Sequence, residues 1–267
     1  MVDAQGAMWP SADAATAVRA RNVVLARDGR PVVRIEALDI PSGATTALVG
    51  PNGSGKTTLL HAIAGLLPAS SGALGVLGTT PRRARHRVAY VLQATAVSEH
   101  LPVTVREVVA MGRYAARGVL GRFSAGDRAA VDRALADLDL ASLAGRHLGE
   151  LSGGQRQRAL VAQGLAQEGE LVLLDEPLSA LDHVSVEQIR SVLHDLRAKG
   201  RTTIVATHDL AEARAADHVV LLAGRVVASG PPRSAITRDT LADAYGNRLV
   251  RLGHDTFVMD DASHHDD

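Results

Sequence analysis

Residues 50–57 read Gly50-Pro51-Asn52-Gly53-Ser54-Gly55-Lys56-Thr57, and this octapeptide constrains the chain more than any other feature. It fits G-x-x-x-x-G-K-[ST], the pattern of a phosphate-binding loop. The run before it, 46–49, reads as a strand, and 56–67 reads as a helix, so the loop sits at a strand-to-helix turn. Such a turn suits phosphate. Glycines let backbone N–H groups converge on an anion, and the helix N-terminus adds the positive end of its dipole. There Lys56 reaches the terminal phosphates and Thr57 offers a hydroxyl to Mg²⁺, with Thr58 completing the set. The chain has only two lysines, Lys56 and Lys199, among its 29 basic residues, so the match does not come from a lysine-rich background.

The rest of the sequence supplies a setting for that loop. Hydrophobic residues make up 46% of the 267 positions, enough for a substantial core and far from a disordered composition. Twenty-nine acidic residues balance the basic ones, which removes any global pull toward nucleic acid. Cysteine is absent, so disulfides and thiolate metal sites are excluded. No apolar run is long enough for a membrane span. Residues 1–20 are Ala-rich without periodicity and read as a loose leader, 21–252 as one domain, and 253–267 as a His/Asp-rich tail. Strands are predicted at 32–40, 46–49, 88–92, 171–174, 203–206, 218–222 and 225–228. Helices are predicted at 56–67, 152–167, 184–199 and 209–216. Their alternation predicts an α/β fold with a parallel sheet covered on both faces. Residues 103–151 are helical by pattern and read as an inserted helical subdomain, about 94–158, between core segments 21–93 and 159–252.

Two further clusters carry chemistry. The continuous apolar run 171–174 reads as a buried strand delivering Asp175 and Glu176 at its carboxyl end, the edge where open α/β sheets bind ligands. Asp175 suits Mg²⁺, and Glu176 is placed to polarise a water attacking a γ-phosphate. An acidic pair after a strand is by itself often a solvated end; beside a phosphate loop it becomes a site. Leu151-Ser152-Gly153-Gly154-Gln155 precedes a helix and offers a second helix start suited to an anion.

Leu-Ser-Gly-Gly-Gln followed by 171–176 resembles the signature and Walker B segments of ATP-binding cassette ATPases, in the order of that family. The resemblance spans residues 50–208 and implies a P-loop NTPase (RecA-like) core with a parallel or mixed sheet, an antiparallel β part and an inserted helical subdomain. It implies that Gln93, ending Tyr90-Val91-Leu92-Gln93, touches Mg²⁺ and couples to a membrane partner. It implies that Asp182, in Ser179-Ala180-Leu181-Asp182, communicates between subunits, and that His208, in Ala206-Thr207-His208-Asp209, contacts the γ-phosphate and orients Glu176. The expected catalytic set is therefore Lys56, Gln93, Glu176 and His208, and the expected ligands are ATP and Mg²⁺. In that family Ser152, Gly153, Gly154 and Gln155 of one subunit cover the nucleotide of the other. A homodimer follows, on the cytoplasmic face of the cell membrane, with an integral permease, an extracellular solute-binding protein and no nucleic acid.

One departure concerns the base. The family places an aromatic residue ahead of the phosphate loop to stack on adenine, yet aromatics are 2% of this chain and residues 25–30 hold none. Arg27 aligns there, and a guanidinium plane can stack on a base. The basic run Pro81-Arg82-Arg83-Ala84-Arg85-His86-Arg87 reads as a solvated connection or as a contact for anionic lipid or a partner. The tail residues His254, Asp260, Asp261, His264, His265 and Asp267 are potential metal ligands or a disordered polar end.

Met111-Gly112-Arg113-Tyr114 resembles the helical subdomain of ATPases serving zinc, manganese and iron-chelate importers, as 241–246 resembles their closing segment. Zinc or manganese uptake is the expectation. An iron-siderophore or haem importer is the alternative, because Leu178-Ser179-Ala180-Leu181-Asp182 departs from the zinc and manganese pattern. A soluble single-cassette ATPase of iron–sulfur cluster assembly is a rival of another class. So is a nucleotide-gated switch without turnover, against which the pair Glu176 and His208 speaks.

Overall fold

Parallel strands buried on both faces are the frame of this molecule, and the sequence writes them as short unbroken apolar runs. The computed structural model describes residues 15–91, 102–114, 122–179 and 181–246, together with the backbone of 249–251 and 257–259. A six-stranded sheet runs in the order β5 (Val88–Val91), β6 (Leu171–Asp175), β7 (Thr202–Thr207), β3 (Thr45–Val49), β8 (His218–Leu222), β9 (Val226–Gly230). All neighbours are parallel except β8 and β9. Alternation sorts each strand between layers. In β6, Leu171 and Leu173 join the core shared with α1 (Lys56–Ile63), while Val172 and Leu174 face the helical side. Each such leucine or valine contributes about 1.5–3 kcal/mol by burial.

A second, antiparallel sheet of β1 (Thr16–Arg27), β2 (Arg30–Pro41) and β4 (Ser71–Val76) packs on α1 and closes that core. Strands β1 and β4 are additions to what the sequence predicts, and β1 takes up residues 16–20 of the expected leader. The reason is a break in period. Val18 and Ala20 are buried, then Val23 and Leu25, with Asn22 between them at φ 50 and a register shift there against β4. A bulge of this kind hides the alternation that identifies a strand.

The helix predicted over 56–67 ends at Ile63. The helical pattern of 103–151 is not one element; it contains α3 (Val105–Met111), α4 (Ala125–Asp137) and single 3₁₀ turns at Ala141–Leu143 and Leu148–Glu150. Capping boxes impose the starts. Thr104 with Glu107 and Ser124 with Asp127 each satisfy two helix-end donors reciprocally. Arg113, from the Gly-Arg-Tyr segment, fastens this layer: Nε donates to Asp127 at 3.0 Å and Nη1 to the Ala166 carbonyl at 2.7 Å. Ala166 is the last residue of α5 (Gly153–Ala166), so the clamp fixes one end of the helix whose other end is the second glycine loop.

The remaining helices are α2 (Pro81–Ala84), α6 (His183–Ala198), α7 (Leu210–Ala215), α8 (Pro232–Ala235) and α9 (Arg238–Tyr245). In the basic run, α2 and a 3₁₀ turn order the chain, and Arg87 forks onto both carboxylate oxygens of Glu170 at 2.6 Å. Arg87 is thus a structural tie and not a solvated charge. Gln93, Ala180 and the tail residues named above lie outside the described residues.

Candidate functional site

Strand register brings the site together. Val49 pairs with Thr207, and Asp175 pairs with Ala206, so residues 50, 176 and 208 leave the sheet at one edge from three adjacent strands. No local signal in the sequence gives that register; only the order β6-β7-β3 does.

At the phosphate loop, the close approach of neighbouring backbone requires glycine. A Cβ on Gly50 would lie 2.0 Å from the Leu222 carbonyl, and one on Gly55 2.2 Å from Val33 Cγ2. Gly55 has φ 99 and caps α1 with no side-chain hydrogen bond. The first N–H groups of α1 are therefore left for an outside acceptor. Lys56 is buried, and its Nζ donates to the carbonyls of Gly50 at 2.8 Å and Pro51 at 3.3 Å. Burial pushes its pKa down from the usual lysine value, opposed by the charges of Glu176 and Asp175. Thr57 is exposed and Thr58 buried.

Glu176 sits between Lys56 and His208. Its Oε1 is 3.9 Å from Lys56 Nζ and its Oε2 3.9 Å from His208 Nδ1. The backbone of Glu176 is left-handed at φ 48, held by its N–H donating to the Ala206 carbonyl at 3.0 Å. A non-glycine residue in that region carries about 1 kcal/mol of strain, which the sheet offsets while fixing where the carboxylate points. Asp175, buried beneath, accepts a hydrogen bond from the Tyr90 hydroxyl at 3.4 Å. Burial and the nearby Asp175 charge push the Tyr90 pKa up, keeping it a donor. Tyr90 is a site residue the sequence did not announce; its one signal was a lone hydroxyl-bearing ring in an apolar strand. Its ring also meets His61 edge-on, and His61 Nδ1 lies 2.7 Å from Arg27 Nη2. Arg27 is thereby placed against the phosphate-loop helix.

The second glycine loop is elsewhere. Ser152 caps α5 with a capping box, its hydroxyl accepting from Gln155 N at 3.3 Å while Gln155 Oε1 accepts from Ser152 N at 3.0 Å. Ser152 and Gly153 are exposed, whereas a Cβ on Gly154 would lie 2.1 Å from Asp182 Oδ2. Asp182 in turn caps α6, accepting from Ser185 N at 2.9 Å and Ser185 Oγ at 2.9 Å, and these bonds lower its pKa. The structure thus joins Lys56, Asp175, Glu176 and His208 in one cluster, and Gly154 and Asp182 in another.

A glycine loop opening a helix, with an acid delivered at the same sheet edge by a parallel strand one removed, across β7, defines a nucleoside-triphosphate hydrolase of the phosphate-loop class. The narrower group follows from comparison. Residues 34–179 match the family model described as ABC transporter, and the chain belongs to that family as an ATP-binding, ATP-hydrolysing subunit. It is 39% identical over 236 residues to the zinc transport system ATP-binding protein TroB of Treponema pallidum, covering 88% of this chain and 89% of that one. It is 36% identical over 232 residues to the manganese transport system ATP-binding protein MntB of Bacillus subtilis, covering 86% and 93%. Among solved structures, a dimeric ATP-binding cassette in a post-hydrolysis state, bound to ADP and phosphate, superposes with a TM-score of 0.71 at 26% identity, covering 81% of this chain and 99% of that one. Among the described residues, no helix is long and apolar enough to cross a membrane.

Proposed function

We propose that this chain binds MgATP on residues 50–58, pairs with a second copy of itself, and drives a membrane permease that imports zinc or manganese. The observation that carries the catalytic half is the placement of Glu176 at 3.9 Å from both Lys56 and His208. A carboxylate held between a lysine and an imidazole at a sheet edge is suited to orient a water toward a γ-phosphate. Lys56, now resting on the loop's own carbonyls, transfers its hydrogen bonds to phosphate oxygens. His208 contacts the γ-phosphate. Arg27, held by His61, lies over the base in place of an aromatic ring.

The donors around the cradle fit magnesium. Thr57 and Asp175 supply oxygen alone, and Tyr90 orients Asp175. These two residues would hold the ion, with Gln93 expected from the sequence as a further ligand, and a bound ion would supply charge neutralisation at the phosphate oxygens.

The exposed start of α5 supports a partner in trans. Ser152 and Gly153 are exposed at the start of a helix other than the one the phosphate loop opens, so Ser152, Gly153 and Gln155 complete the nucleotide site of a second copy, with Gly154 and Asp182 tying that loop to α6. The names of the relatives and the Gly112-Arg113-Tyr114 segment support zinc or manganese as cargo, delivered by an extracellular binding protein, with this chain peripheral on the cytoplasmic face. Uptake of radioactive zinc, manganese and a ferric chelate by a strain lacking this chain tests the cargo. Restored zinc or manganese uptake by the wild type, and none by Glu176→Gln, is the expected result; restored ferric-chelate uptake alone overturns it.

A further inference from the structure

Outside the cluster described above, one carboxylate is buried beside the site without being in it. Glu212, on the first turn of α7, is largely shielded, and burial pushes its pKa up. Its Oε2 accepts a hydrogen bond from Thr207 Oγ1 at 2.7 Å, and the same hydroxyl accepts from Asp209 N at 3.0 Å. The residues on either side of His208 are therefore tied to one hydroxyl, and that hydroxyl is aimed by Glu212. Asp209 secures the helix start, its Oδ1 accepting from Ala211 N at 2.6 Å and Glu212 N at 3.4 Å. On its far side, Glu212 Oε1 faces Arg190 Nη2 of α6 at 3.9 Å. Helix α6 is the one that Asp182 caps.

We propose that Glu212 is a positioning residue for His208: through Thr207 it fixes the loop that carries the histidine, and through Arg190 it links that loop to the helix beginning at Asp182. Packing around the Glu212 side chain is incomplete. A cavity of about 250 Å³ opens beside Glu212 between α6 and α7, lined by Leu178, Arg190, Leu193 and Thr207 among others. Strand pairing with Val49 sets the Thr207 backbone, and the hydrogen bond to Glu212 sets where its hydroxyl points. The inference rests on the reading of His208 as the group that contacts the γ-phosphate.

The test is steady-state ATPase kinetics of the full chain, with affinity for the fluorescent analogue mant-ATP and the thermal midpoint measured alongside. Glu212→Ala is expected to lower kcat about tenfold while KM and mant-ATP affinity stay within about twofold. Glu212→Gln keeps an oxygen acceptor for the Thr207 hydroxyl and is expected within about twofold of wild type. Thr207→Val is expected to match Glu212→Ala, and the double variant to be no slower than either, since both remove one interaction. Unchanged kcat in Glu212→Ala, no rescue by Glu212→Gln, or additive losses in the double variant each overturn the proposal. His208→Ala separates the two readings. If it keeps full turnover, the role of the histidine falls; if it loses turnover while Glu212→Ala keeps it, only the positioning role falls.

Discussion

The two glycine loops of this chain both open helices, yet they treat their orphan N–H groups in opposite ways. At Gly55 the helix starts with no side-chain cap, and the neighbouring lysine is buried against loop carbonyls. At Ser152 the helix closes its own donors with a capping box. The first loop thus leaves its helix-start N–H groups to an outside phosphate, whereas at the second the Ser152 oxygen already accepts from Gln155 N and only its O–H remains to be donated outward. Their neighbours differ in the same sense. Glu176 and His208 stand beside the first, while the second has its inner glycine pressed on Asp182 and its outer face exposed.

The largest break of that contrast comes from removing one group at each loop. Lys56→Ala is expected to weaken mant-ATP binding about a hundredfold, the loss of charge-assisted hydrogen bonds worth about 1.5–3 kcal/mol. Ser152→Ala should leave binding by the single chain within about twofold, and lower turnover in the dimer. Equal loss of binding in both would erase the distinction between the loops. A smaller effect separates the two glycines of the second loop by thermal or urea unfolding. Gly154→Ala, forced onto Asp182 and Ser185, should cost about 1–2 kcal/mol by displacing the α6 cap. Gly153→Ala, with nothing within 4 Å of its Cβ, should be neutral or slightly stabilising.

The smallest effect is a pH slope at the base side of the first loop. Burial and the Arg27 charge lower the His61 pKa from its ordinary 6.5, so its neutral form is favoured in the folded chain. Below about 6.5 the unfolded chain takes up that proton first, and stability falls as pH drops toward the lowered folded value. Replacing His61 with Gln should make the decline with acid shallower. A steeper decline in urea midpoints between pH 7 and 5 would contradict the assignment.

The contiguous parts of this site were legible in the residues themselves, and the assembled set of Lys56, Glu176 and His208 was legible only through the family resemblance. Residues 50–57 are read directly because phosphate binding there uses backbone and a single lysine in one turn. Asp175 and Glu176 were visible because a strand buried on both faces must be apolar up to its last residue. The grouping of Lys56, Glu176 and His208 depends on strand order, which no local pattern encodes. Thr207, Glu212 and Arg190 were missed for a related reason: each is an ordinary helix or strand residue until α6 and α7 are placed side by side. In the fold, the bulge at Asn22 concealed β1, and an Ala- and Arg-rich pattern concealed the separate helices that the Thr104 and Ser124 caps begin.

The claim that the second loop completes the partner's site is tested most directly by mixing two inactive chains, Lys56→Ala and Ser152→Arg, and following single-turnover cleavage of γ-labelled ATP. If the loops act in trans, each mixed dimer contains one site whose phosphate loop and signature are both intact. A 1:1 mixture should then recover about a quarter of wild-type cleavage, because about half the dimers are mixed and one of their two sites works. No recovery above either chain alone would contradict the account.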